Sequence, residues 1–171
     1  IISQRVDLKS DNKYSILTIL SQTGIQSDKT HLLLEQKKGR NPVFVINFED
    51  EDTFIFGNAL SILGYRCCVN KWFEFTDSVN NHIVNNEPLL FDAYIGFKSF
   101  VNHYKILDLL YPDAVFIFIG NCLEKRLEDL SDYFSKRRGK LLILSNNSFY
   151  NWGNLCIFLN CEIPKTPFPT F

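Results

Sequence analysis

The chain alternates between short, wholly apolar runs and longer stretches with helical spacing. Val43 to Phe48 is a continuous run of β-branched and aromatic residues opened by Pro42, the pattern of a strand buried on both faces. Ala114 to Gly120 and Leu141 to Leu144 have the same character, and Tyr65 to Val69 reads as a further short strand. Helical periodicity predicts helices over Thr53 to Leu63, Gly96 to Leu110, Leu123 to Lys136 and Phe149 to Leu159. The first of these is expected to turn Ile55, Ala59, Leu60, Ile62 and Leu63 inward and to stop at Gly64. The third is expected to do so with Leu127, Leu130, Tyr133 and Phe134. Residues 76 to 88, rich in asparagine, read as a polar loop with a helical turn. Before Asn41, two short helices are predicted, Tyr14 to Leu20 and Ser27 to Leu34, the second ended by Lys37-Lys38-Gly39-Arg40. Pro164, Pro167 and Pro169 give an extended tail.

Strands alternating with helices of this length imply βαβ units, hence a mainly parallel sheet with right-handed crossovers and helices on both faces. The expected architecture is a three-layer α/β/α domain of about four to five strands over 41–171, with 1–40 as a helical extension or linker. Hydrophobic content of 46% and aromatic content of 15% supply a sizeable core and exclude wholesale disorder. A net charge of -1 excludes a broadly basic nucleic-acid-binding surface, and no apolar run reaches the roughly 20 residues of a membrane span. The five cysteines, Cys67, Cys68, Cys122, Cys156 and Cys161, form no disulfide framework. Buried free thiols are expected over a zinc site at Cys156 and Cys161, and with them a reducing, cytoplasmic compartment. The chain contains no methionine, so a processed chain or a piece of a longer one is expected, with a fused upstream domain or a protein partner.

In a sheet of this kind the loop after the first strand is the place to look for chemistry. Here it runs Ile46-Asn47-Phe48-Glu49-Asp50-Glu51-Asp52-Thr53-Phe54 and continues into Ala59-Leu60-Ser61-Ile62-Leu63-Gly64-Tyr65-Arg66-Cys67. Further on come Phe91-Asp92-Ala93, Tyr111-Pro112-Asp113-Ala114, and a Trp152-Gly153-Asn154-Leu155-Cys156-Ile157-Phe158-Leu159 helix followed by Pro164-Lys165-Thr166-Pro167-Phe168-Pro169. This ordered set resembles the P-loop sulfotransferases between Asn41 and Pro169. The resemblance implies a P-loop NTPase-like fold and a site for the sulfate donor, 3′-phosphoadenosine 5′-phosphosulfate (PAPS).

The matched positions have lost the donor-binding chemistry. The family's loop reads like "GFPRSGTTSL" and cradles the 5′-phosphosulfate with backbone N–H groups, a cation, hydroxyls and a helix N-terminus. In this chain Asn47 replaces the first glycine, Glu49 the proline and Asp50 the cation. Glu51 and Asp52 follow up to the second glycine position, Thr53 is kept, and Phe54 replaces a hydroxyl residue. One opposing charge at about 4 Å costs about 4 kcal/mol at an effective dielectric of about 20, before screening. The family's Arg and Ser for the 3′-phosphate become Asn121 and Asp129, with Lys125 and Arg126 on the helix nearby. The family's acidic residue after "FDA" falls at Gly96 or Phe97, which leaves Asp92 and His103 as the candidate bases. One helix, where the family has several, separates the last two strands.

The acidic run has a plain explanation, because carboxylates before a helix complement its dipole and Asp50 or Asp52 can cap it. It also has a sharper one, a divalent-cation site built from Glu49, Asp50, Glu51 and Asp52. Three functions fit these residues. The first is a sulfotransferase-like fold with a degenerate donor site, serving without a cofactor as a binding or structural domain. The second is a divergent transferase that uses PAPS, and the third is a cation-dependent enzyme or sensor. Tyr65, Trp72, Phe73 and Phe75 read as core or as an exposed partner patch.

Overall fold

The structure is a computed structural model that describes residues 40–47, 51–85, 87–96, 100–120, 124–137, 139–145 and 149–170. The two helices expected before Asn41 lie outside the described residues, as do Phe48, Glu49, Asp50 and Asn121. The order of elements is β1 (Val43–Asn47), α1 (Glu51–Ile62), β2 (Cys67–Val69), α2 (Trp72–Asn85), β3 (Ala93–Ile95), α3 (Phe100–Leu110), β4 (Val115–Ile119), α4 (Glu124–Phe134), β5 (Leu141–Leu144) and α5 (Trp152–Leu159). All strand pairs are parallel and the sheet order is β2-β3-β1-β4-β5, so the expected parallel α/β sheet is present with five strands. Among the described residues no helix is long and apolar enough to cross a membrane.

β1 lies at the centre because it can be buried on both faces, and all five of its residues are buried. Its alternate side chains enter two different cores. Phe44 and Ile46 join residues of α2, α3 and α4, while Val43 and Val45 join residues of α1 and α5. Phe44 is the hub of the first core. Its ring lies 5.5 Å from Tyr94, 5.4 Å from Phe100, 5.7 Å from Tyr111 and 5.5 Å from Phe116. Each fully buried side chain of this size contributes on the order of 2 kcal/mol, which fixes the register of β1 between β3 and β4.

Several expectations need correction. Residues 76 to 85 are not a loop but most of α2. The buried stripe there is Phe75, Thr76, Ser78, Val79 and His82, so much of the face that packs inward is polar. Ser78 is accommodated by a 2.9 Å hydrogen bond with the Tyr94 hydroxyl, and His82 Nδ1 donates to the Glu87 carbonyl at 2.5 Å. Ala93 to Ile95 forms a strand that periodicity did not mark, because three residues are too few to show a period. Gly96 is not helical but sits at φ +88, and α3 begins at Phe100. Ile62 is 47% exposed rather than inward. Of the aromatic group, Phe75 is core and Tyr65 is half-buried.

The last helix starts at Trp152, capped by the Asn151 side chain, which accepts from the Asn154 N–H at 2.9 Å. The tail then runs back over α5 and α1. The Trp152 indole N–H donates to the Thr166 carbonyl at 2.7 Å, and the Phe168 ring packs 4.8 Å from Trp152 and 6.0 Å from Phe56.

Candidate anion site at the carboxyl edge of the sheet

The crossover from β1 leads towards β2 on one side of the sheet, and the crossover from β4 leads towards β5 on the other. The two strands are neighbours, with Asn47 paired to Ile119 at their carboxyl ends. A crevice forms where adjacent chains depart in opposite directions, which makes this edge the natural ligand position of the fold. The N-terminus of α1 points into the same region, so its unsatisfied N–H groups and dipole favour an anion.

The chain supplies that anion itself. Asp52, in the first turn of α1, is only 6% exposed. Its Oδ2 accepts a 2.7 Å hydrogen bond from the Tyr150 hydroxyl, which arrives from the segment before α5. The Tyr150 ring is held edge-on against Phe56 at 4.9 Å, so the hydroxyl is aimed by packing within the α1 face. The neighbouring Thr53 is fully buried and its Oγ1 accepts from Asn47 Nδ2 at 2.7 Å. The Asn47 side chain therefore engages the Thr53 hydroxyl within the fold.

The ends of β3 and β4 close the site. Gly120 follows β4 at φ +88, and a Cβ built on it would stand 3.8 Å from Asp52 Oδ2. Gly96 follows β3 at φ +88, where a Cβ would meet Asn70 Oδ1 at 1.9 Å and Thr53 Cγ2 at 2.7 Å. A side chain at Gly96 is excluded both by conformation and by space. Asn70, itself at φ 53, brings the end of β2 onto the same cluster. Four strand ends thus converge on the first turn of α1. Phe54 points the other way and is 65% exposed.

The other candidates are distributed around the domain. Asp92 lies just before β3, at the amino edge of the sheet, opposite to the site. Arg66 grips it with Nη2 at 2.9 Å from Oδ1, and with both Nε and the backbone N–H at 3.0 Å from Oδ2. The Arg66 hydrogen bonds hold this carboxyl below its ordinary range. His103 stands in the first turn of α3 and is half-buried. Asp129 is exposed on α4. Among the described residues α4 alone intervenes between β4 and β5.

Of the four acidic residues proposed for a cation, Glu49 and Asp50 lie outside the described residues. Glu51 is placed in α1 and Asp52 is bonded to Tyr150. Among the described residues no three His, Cys, Asp or Glu side chains come together as a metal-binding group. Tyr150, Asn70, Gly96 and Gly120 were not marked as site residues by the sequence. Tyr150 is 98 positions from Asp52, and no local spacing connects the two.

No protein-family model, curated protein or solved structure matches the chain. The site is therefore read from its own geometry and from the motif resemblance.

Proposed function

We propose that the chain is a sulfotransferase-like domain whose donor site is filled by its own side chains, and that it serves as a binding or structural domain rather than as a transferase. The observation that carries this reading is the buried Asp52 carboxylate at the N-terminus of α1, hydrogen-bonded to Tyr150. A negative charge already occupies the region where a donor phosphate would need the helix N-terminus. A second anion entering there would meet a like charge in a partly dehydrated place, and the electrostatic sign opposes it.

Two further features support the reading. The strand order sets the ends of β1 and β4 side by side, the two positions from which the resemblance draws its contacts to the donor's 5′ and 3′ phosphates. Both elements have lost their cationic residue in the sequence, at Asp50 and Asn121. The Asn47–Thr53 bond adds that the retained hydroxyl is engaged within the fold.

A thermal-shift series tests the proposal. PAPS and adenosine 3′,5′-bisphosphate at up to millimolar concentration are expected to leave the melting temperature unchanged. A saturable rise centred in the micromolar range would overturn the reading in favour of a divergent transferase. The same series with magnesium and calcium separates the cation-dependent reading, which requires a rise that Asp52→Ala abolishes.

A further inference from the structure

The C-terminus of α5 carries two cysteines in a defined geometric relation. Asn160 adopts the left-handed conformation at φ 52, and its N–H bonds to the Ile157 carbonyl at 3.4 Å. The Cys161 N–H bonds to the Cys156 carbonyl at 3.0 Å. This pair of bonds is the Schellman motif, in which the side chain three residues inside the helix end meets the side chain two residues beyond it. That contact is ordinarily apolar. Here the two positions are Cys156 and Cys161.

The two thiols differ in access. Cys161 is exposed, whereas Cys156 is buried against Trp152 and Leu155. Burial pushes the Cys156 thiol up to about 11. Both are within electrostatic reach of Tyr65, whose ring holds the Arg40 guanidinium 4.8 Å above its centroid.

We propose that Cys156 and Cys161 form a reversible intramolecular disulfide, made by exchange with a low-molecular-weight disulfide, that fastens the start of the C-terminal tail to α5. The Cys161 thiolate attacks one sulfur of the small disulfide, whose S–S bond breaks and releases one small thiol after protonation. Cys156 then loses its proton to solvent, its Sγ attacks Cys161 Sγ, and the second small thiol leaves. Two protein thiols are oxidised and one small disulfide is reduced to two thiols. The motif supplies the approach, since the bond from the Cys161 N–H to the Cys156 carbonyl brings the two residues together at the helix end. The tail that follows is anchored at Trp152 and Phe56, so the bond would lock the segment between two fixed points.

The test uses the full chain equilibrated in mixtures of reduced glutathione and glutathione disulfide, alkylated, and digested with trypsin. Both cysteines fall in one peptide, Leu141 to Lys165. The expected product is that peptide without alkyl groups and lighter by two hydrogens, restored to the doubly alkylated form by dithiothreitol. The Cys156→Ser variant is expected to accumulate a glutathione adduct on Cys161, because nothing resolves it. Full alkylation of both residues at every ratio would overturn the proposal. So would a stable glutathione adduct on Cys161 of the unaltered chain, or oxidation that yields only chains cross-linked to one another. The wild-type digest decides the matter even if the serine variant fails to fold.

Discussion

Removal of the Tyr150 hydroxyl probes the interaction on which the site depends. The Tyr150→Phe substitution deletes one oxygen and keeps the ring that packs against Phe56 at 4.9 Å, so it creates no sizeable cavity. What is lost is the 2.7 Å hydrogen bond to the Asp52 carboxylate, a group only 6% exposed. Hydrogen bonds to charged groups contribute about 1.5–3 kcal/mol. The helix N-terminus still stabilises the carboxylate in the variant, typically by about 0.3–1 kcal/mol and by up to about 2 when partly buried. The expected cost is therefore in the lower half of the range, about 1.5–2 kcal/mol. For a domain of this size that corresponds to a fall of roughly 3–8 °C in melting temperature. Urea unfolding of the wild type, Tyr150→Phe, Asp52→Ala and the double variant closes a cycle, and a coupling energy of about 1–2 kcal/mol is expected. A coupling near zero, with Asp52→Ala destabilising by itself, would show that the carboxylate does not depend on Tyr150, and the reasoning would fail.

Other groups give independent checks. The Asp92 carboxyl is held below its ordinary range by Arg66, so its contribution is present above the unfolded-state value near 3.9 and lost as pH falls through the lowered folded-state value. Arg66 is 63% exposed, so Asp92→Asn should cost under about 1 kcal/mol at pH 7, and this difference should vanish in acid unfolding curves below that window. Asp108, fully buried, is bound by the Arg137 guanidinium and by the Tyr133 hydroxyl at 2.8 Å, while Arg137 is 38% exposed. Arg137→Met strands a buried charge and should cost about 3 kcal/mol, more than Asp108→Asn, when both are compared by denaturant unfolding. Gly96→Ala forces a side chain into a positive φ and onto Asn70, so a loss of at least about 2 kcal/mol is expected from the same measurement.

The parts of the fold that sequence disclosed are those whose burial is uniform along the chain. β1 and β4 are apolar runs because helices cover both their faces, and such runs are visible without knowledge of the partners. α2 was hidden because Thr76, Ser78 and His82 lie on its buried face, where Ser78 bonds to the Tyr94 hydroxyl and His82 Nδ1 to the Glu87 carbonyl. β3 was hidden by its length, although Tyr94 at its centre is fully buried. The site divides in the same way. The acidic run Glu49 to Asp52 could be read directly, since it lies in consecutive residues. The fate of Asp52 could not, because its hydroxyl partner arrives from the far end of the chain. Asp92 looked like a base in one dimension, and the Arg66 pairing that occupies it spans 26 positions.

In the proposed function the carboxylate of Asp52 takes the place of a donor phosphate. Isothermal titration of the full chain with adenosine 3′,5′-bisphosphate, run beside Asp52→Gly, tests it most directly. No saturable heat is expected from the wild type up to millimolar ligand, and any gain of affinity is expected only in the variant. Micromolar, one-to-one binding by the wild type that weakens in Asp52→Gly would contradict it.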